Sequence, residues 1–256
     1  MENISNKAII NKSAKLGNNV KIYPNAIIDE DVIIGDNTII NSNAIIRSGA
    51  RIGKNCEIFP GAIISEVCQD LKFNGMKTYA YIGDGTIIRE YATIHRGTQD
   101  RGETVIGKNC LIMAYVHIAH DCLLRDNVII SNLSQIAGHV TIENYVTISG
   151  MVPVHQFTKL GSHSFIGGGY RVSKDVPPYI LAAGEPLQYK GLNVVGLRRR
   201  GFSNEKIKEL KNIYKVIYRS KYNTKDAIKY IENNFQLTDE SKHIVDFIKN
   251  SERGIL

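Results

Sequence analysis

Histidine is the side chain best suited to exchange a proton near neutral pH, its ordinary pKa being about 6.5, and six of the seven in this 256-residue chain fall between residues 95 and 163. They are His95, His117, His120, His139, His155 and His163. His120 is followed by Asp121, a carboxylate that could fix the imidazole tautomer and stabilise an imidazolium. A step of 18 residues from His120 reaches Gly138, a second reaches Gln156, and the same step carries Asp121 to His139. If residues so spaced are stacked, one imidazole lies under a residue with no side chain and beside a second imidazole. Such a pocket would hold a general base, and the glycine N–H above it could donate to a developing oxyanion. A solitary surface histidine is more simply solvated, whereas a cluster in register is a candidate active site.

Stacking at that interval calls for a repeat. From Ile10 onward, Ile, Leu or Val fills 25 of the 28 sixth positions up to Val172, and the exceptions Asp70, Met76 and Asp100 lie in two segments rich in polar residues and glycine. The fourth residue after each is small or β-branched, as at Ala14, Val20, Ala26, Val32, Thr38, Ala44 and Ala50, with Tyr170 the bulky exception. One such unit cannot bury its apolar pair alone, but stacked coils bury a continuous column. A helical period of 3.6 does not fit. The pattern resembles that of hexapeptide-repeat proteins. The resemblance implies a mainly β fold, a left-handed parallel β-helix whose three hexads per coil stack residues 18 apart. Cys56, Cys68, Cys110 and Cys122 all occupy the small inward slot, so they read as free, core-filling thiols rather than disulfides or zinc ligands.

The repeat fails after Val172, at Asp175-Val-Pro-Pro-Tyr179, where consecutive prolines are expected to end strand pairing. The chain divides into a β-helix domain at 1–189 and a C-terminal α-helical domain at 190–256. In the latter, Ser203, Thr224 and Thr238 are expected to cap three helices. These carry Ile207, Leu210, Tyr214 and Ile217, then Ile228 and Ile231, then Ile244, Phe247 and Ile248, with Gly254 closing the last. The net charge is +7, and residues 190–256 hold 15 Lys and Arg against 8 Asp and Glu, which predicts an anionic partner without naming it. The basic helices show no aromatic platform and no motif of nucleic-acid binding, so nucleic acid is not expected. There is no signal-peptide pattern, and no apolar run approaches the roughly 18 residues of a membrane span. A cytoplasmic protein without a membrane span is expected.

Several strings sharpen the reading. His117-Ile-Ala-His120-Asp-Cys, Ala137-Gly138-His139-Val, Val154-His155-Gln156-Phe, Asp175-Val-Pro-Pro-Tyr179 and Gly196-Leu-Arg-Arg-Arg-Gly-Phe202, with Glu66-Val-Cys-Gln-Asp-Leu-Lys72 and Thr93-Ile-His-Arg-Gly97, run in order along nearly the whole chain. In that order they resemble the UDP-N-acetylglucosamine acyltransferases of lipid A synthesis. The resemblance implies transfer of a 3-hydroxyacyl group from acyl carrier protein to the glucosamine 3-hydroxyl, with His120 as general base, Asp121 beside it and the Gly138 amide as oxyanion donor. It implies substrate contacts from Asp70, Lys72, His95, His117, His139, His155 and Gln156, nucleotide contacts from Asn193, Arg199 and Arg200, and a long acyl chain because Gly168 stands where the family limits its length. A homotrimer is implied too, and neither cofactor nor metal is called for. Two departures stand out: Val195 replaces an acidic residue of many members, and the usual Gly-Asn reads Gly184-Glu185-Pro186. The sister 2-N-acyltransferase reaction and acylation of a 3-amino sugar analogue remain open. A zinc site of the γ-type carbonic anhydrase kind, using His117 and His139, would leave the helical tail and its arginines without a purpose.

Overall fold

Two residues are too few for a strand to stand alone, and it is the stacking of coils that gives each hexad its hydrogen-bonding partners. In the computed structural model, which describes residues 3–256, the hexads form three parallel sheets along a left-handed β-helix. The chain visits the three faces in rotation. The first carries Ile9–Ile10, Ile27–Ile28, Ile45–Ile46, Ile63–Glu66, Thr93–His95, His117–Ile118, Gln135–Ile136 and Pro153–Val154. The second runs from Lys15–Leu16 to Lys159–Leu160, and the third from Lys21–Ile22 to Phe165–Ile166. The 18-residue register holds on every face, as in Gln135↔Pro153, Thr141↔Lys159 and Ile129↔Thr147.

The large residue of each hexad points inward, and Ile40, Ile58, Ile88, Ile118, Ile130 and Ile148 have no exposed surface. Each such isoleucine stabilises the fold by about 1.5–3 kcal/mol, so the column is the main source of stability. All four cysteines are free and buried; Cys56, Cys110 and Cys122 lie in the column, whereas Cys68, expected in the same inward slot, sits in the 67–78 loop that leaves the prism. Tyr170, the bulky exception, lies over Gly167 in the last complete coil and packs against the core from its end.

From Asn19 onward, each regular corner turn places one residue in the left-handed backbone region, which Asn, Asp and Gly enter most readily. Between the second and third faces this position reads Asn19, Asn37, Asn55, Gly85, Asn109 and Asn127. Both interruptions of the repeat, residues 67–78 and 96–102, leave the prism between the first and second faces. There Ile63 pairs with Thr93 and Thr93 with His117, so the register absorbs the extra residues as loops and then resumes.

The prolines do not end pairing altogether. Pro177 and Pro178 round a corner, with Pro178 close against Gly161, and Ile180–Ala183 then rejoins the third face in parallel with Phe165–Ile166. Gln188–Leu192 follows as an antiparallel edge strand, so the expected boundary at 189/190 falls within a strand. Four helices follow: α1 (Val194–Arg199), α2 (Asn204–Arg219), α3 (Thr224–Asn234) and α4 (Asp239–Lys249). Helix α1 was not expected, because six residues are too short to show a period. Ser203 and Thr238 cap as anticipated, but α3 is capped by Asn223, whose Oδ1 accepts from the Asp226 N–H at 2.9 Å; Thr224 is its first residue. Helix α4 closes at Asn250, not at Gly254, whose positive φ belongs to the tail beyond it.

The helices are pinned to the prism by polar contacts. Tyr214, wholly buried, donates to the Pro178 carbonyl at 2.6 Å, and His243 of α4 meets Glu143 at 2.9 Å. Lys206 is held by Glu240 at 2.7 Å and Glu209 at 3.3 Å.

Candidate active site

The corner between the first and second faces carries both loops and the histidine cluster. Its turns set His120 and Asp121 in one coil, Gly138 and His139 in the next, and Gln156 in the one after. The stacking is tight. A β-carbon placed on Gly138 would lie 2.7 Å from His120 Cε1 and 2.9 Å from Nε2, so only glycine leaves room for the ring.

Asp121 has no exposed surface and is held from three directions. Its Oδ2 meets His120 Nδ1 at 2.9 Å, Thr98 Oγ1 donates to Oδ2 at 2.6 Å, and the Thr98 N–H donates to Oδ1 at 2.9 Å. Burial alone would raise the Asp121 pKa; the hydrogen bonds from His120 and Thr98 overcome it and hold the carboxyl down at about 2. The hydrogen bond to Asp121 in turn raises His120 above its ordinary value, with the Asp70 and Asp100 carboxylates adding to it through space. With Nδ1 turned to the carboxylate, Nε2 is the atom free to take a proton.

The neighbouring imidazoles differ. Burial pushes His95 down to about 4 and also lowers His117, whose Nδ1 is engaged by Thr93 Oγ1 at 2.8 Å. These two rings meet edge to face at 4.8 Å, as do His120 and His139 at 5.2 Å. His139 also stacks on Phe157 at 4.5 Å, and its Nε2 stands 3.7 Å from both Asp100 and Asp121. His155 lies one coil on and turns Nδ1 to the Gln156 carbonyl at 3.0 Å, while the Gln156 side chain is exposed. Asp70 and Lys72 sit together in the first loop, Asp70 accepting from the Lys72 N–H at 2.8 Å.

Two features escaped the sequence reading. Thr98 was hidden because the loop shifts it out of the 18-residue register. The second is that the Gly138 amide, expected as the oxyanion donor, is left unengaged. At the equivalent turn position of another corner, the N–H groups of Asn18, Lys54 and Lys108 are taken by Asp36, Asp84 and Asp126 of the next coil at 2.7–2.8 Å. Among the described residues nothing accepts the Gly138 N–H, and Gly138 lies directly against the His120 ring. Ligand atoms of His120, Asp121 and His139 lie within 4.8 Å of one another, close enough for a cation. His120 and Asp121 are nonetheless spent on each other, which is the geometry of a base and its orienting carboxylate.

Asn193, Arg199 and Arg200 are elsewhere. They line a cleft of about 700 Å³ on the third face with Ile129, Phe165 and Val195. Asn193 is the N-cap of α1, accepting from Gly196 and donating to the His163 carbonyl at 2.9 Å, so both ends of its amide are occupied. Gly168 stands exposed at the corner between the third and first faces. The three groups thus sit at different parts of the prism's circumference.

Residues 13–48, 31–66 and 103–138 match the bacterial transferase hexapeptide model, and residues 175–256 match the second domain of UDP-N-acetylglucosamine O-acyltransferases. The acyl-[acyl-carrier-protein]–UDP-N-acetylglucosamine O-acyltransferase of Sulfurihydrogenibium sp. is 48% identical over all of this chain and 94% of its own length. The chain belongs to the UDP-N-acetylglucosamine O-acyltransferase family. The Pseudomonas putida enzyme of that name is 41% identical over 100% of this chain and 99% of its own. Among solved structures, the family member from Bacteroides fragilis superposes with a TM-score of 0.97 at 49% identity, covering 98% of this chain and 99% of its own. That from Acinetobacter baumannii superposes at 0.96 with 41% identity and full coverage of both chains. The chain is accordingly an acyltransferase, and no described helix is long and apolar enough to cross a membrane.

Proposed function

We propose that this protein transfers an (R)-3-hydroxyacyl group from acyl carrier protein to the glucosamine 3-hydroxyl of UDP-N-acetylglucosamine, the first step of lipid A biosynthesis, in the cytoplasm. The observation that carries the reading is His120 Nε2 free beside the unengaged Gly138 N–H, with Asp121 behind the ring. His120 takes the proton of the sugar hydroxyl as its oxygen attacks the thioester carbonyl. The Gly138 amide receives the oxyanion, and on collapse His120 returns the proton to the leaving thiolate of the carrier. Asp121 holds the tautomer and balances the imidazolium. His95, His117, His139, His155 and Gln156, with Asp70 and Lys72 of the loop, shape the substrate end. Of the basic residues on α2, Lys206 is committed to Glu240 and Glu209, whereas Lys211 is exposed and available to the acidic carrier.

A trimer would unite the separated groups. At the corner between the third and first faces the left-handed positions change from Asn25, Asn43 and Gly61 to Tyr91, Tyr115, Leu133 and Met151, all exposed. Bulky residues there are both strained and wet, two costs that burial against other copies would offset. With that corner on a three-fold axis, the first face of one copy meets the third face of the next. The His120 site of one then faces the arginine cleft of its neighbour, with Gly168 along the seam to bound a long acyl chain. Leu133→Arg would place like charges around the axis. It is expected to sediment as a monomer and lose most transfer activity; a trimeric, fully active variant would refute the arrangement.

The assay is transfer from 3-hydroxyacyl carrier protein to UDP-N-acetylglucosamine, with the 3-amino analogue and the 3-O-acylated 2-amino sugar nucleotide as alternative acceptors. Ester formation on the first supports the proposal. Product only with an amino acceptor keeps the base and changes the reaction.

A further inference from the structure

Along the corner between the second and third faces, six successive left-handed positions are Asn or Gly, and then the pattern breaks. Tyr145, His163 and Tyr179 follow, at φ 63°, 60° and 67°. An aromatic residue in this conformation is uncommon and costs backbone energy that asparagine avoids, so the three call for a reason. The rings stack: Tyr145 on His163 at 4.8 Å and His163 on Tyr179 at 5.6 Å, each pair 19° from parallel. Two of them have an evident packing role. His163 and Tyr179 receive Phe202, and Tyr179 meets His243 of α4, so they seat the helices on the prism. Tyr145 touches neither Phe202 nor α4 in this way. Its ring instead carries the Arg200 guanidinium 4.3 Å from its centre.

Arg200 lines the cleft on the third face. Burial lowers its pKa, and among the described residues no carboxylate counters this; there only Tyr145 acts in the other direction. A guanidinium stacked on a ring and free of any acid keeps its donors directed outward, toward an anion. We propose that Tyr145 is a positioning residue for substrate binding, stacking under Arg200 and orienting it toward the diphosphate of the nucleotide sugar. The role rests on reading the cleft as the nucleotide site. Tyr145 itself touches no reacting atom. The cost of an aromatic residue in a left-handed turn is the stability given up to fix the arginine.

The repeat supplies its own control, because Tyr145→Asn restores the residue that serves the same corner at positions 109 and 127. This variant is expected to melt no lower than the wild type, and to raise KM for UDP-N-acetylglucosamine about tenfold with kcat within about twofold, the range of a partly desolvated cation–π contact. Tyr145→Phe keeps the ring and should keep the KM. In an Arg200→Ala background Tyr145→Asn should add nothing further. An unchanged KM in Tyr145→Asn, or an equal rise with and without Arg200, would overturn the proposal. A second readout does not depend on the substrate: phenylglyoxal modification of Arg200, followed by peptide mass, should be several-fold faster in Tyr145→Asn and unaltered in Tyr145→Phe. Were the wild type inactive on this sugar nucleotide, the functional reading would fall, while equal arginine reactivity in wild type and Tyr145→Asn would sink the positioning role by itself.

Discussion

Replacing His120 by alanine is expected to lower acyl transfer by about 10²–10⁴-fold, the usual contribution of a positioned general base. The fall should appear in kcat, because the imidazole is needed as the sugar hydroxyl loses its proton rather than when the sugar binds. The neighbouring rings cannot replace it. His95 is pushed down to about 4 and His117 is also lowered, both by burial, so they are weak bases at working pH, and neither is hydrogen-bonded to a carboxylate. His139 approaches Asp121 only at 3.7 Å. His117→Ala and His139→Ala should therefore cost less than His120→Ala. The His120 side chain lies on the outer surface of the prism at 16% exposure, so the variant should melt within a few degrees of the wild type, by circular dichroism. Activity within tenfold of wild type would remove His120 from the role of base.

How much of this could be read from residues alone follows from how the fold is built. A β-helix makes spatial neighbours of residues at a fixed interval, so Gly138 over His120 and His139 over Asp121 were legible once the hexads were counted. Asp121 as partner of His120 was legible from adjacency. Thr98 was not, because the loop at 96–102 inserts residues that break the interval just where the contact is made. The open Gly138 amide required knowing that Asp36, Asp84 and Asp126 fill its counterparts elsewhere. Beyond Val172 the interval no longer operates. Continued pairing through Ile180–Ala183 is not legible because consecutive prolines ordinarily end a ladder, although at this corner they interrupt none. Thr224 and Asn223 are both good cap residues, and which one serves depends on where the chain leaves α2. Arg200 over Tyr145 joins residues with no periodic relation, which only the folded chain displays.

Asp121→Asn should cut kcat by roughly 10³–10⁴-fold, as expected when the orienting group forces the wrong imidazole tautomer. In the wild type the carboxylate accepts from His120 Nδ1 and leaves Nε2 as the basic atom. An asparagine in the same place can still accept from the Thr98 N–H, but its NH₂ turned toward His120 would make Nδ1 the acceptor and put the hydrogen on Nε2. The pH dependence gives the sign independently. A base must be neutral to act, so the wild-type rate should rise with pH through a pKa above 6.5, the direction in which Asp121 first, and then Asp70 and Asp100, move His120. Without the Asp121 charge that rising limb should shift to lower pH, while the plateau stays far below the wild type. Stability follows the same groups with opposite signs. The Asp121 contribution is complete above about pH 4, the unfolded value, and is lost as pH falls toward about 2. That of His120 is present below about 6.5 and lost as pH rises through its folded pKa. Thr98→Val, which removes the 2.6 Å hydroxyl bond to Asp121 and the 3.3 Å bond that the same hydroxyl accepts from the Asp100 N–H, should weaken the hold on Asp121 and give a smaller fall with the tautomer intact. A rate profile for Asp121→Asn with its limb at the wild-type pH would show that the carboxylate neither tunes nor orients the base.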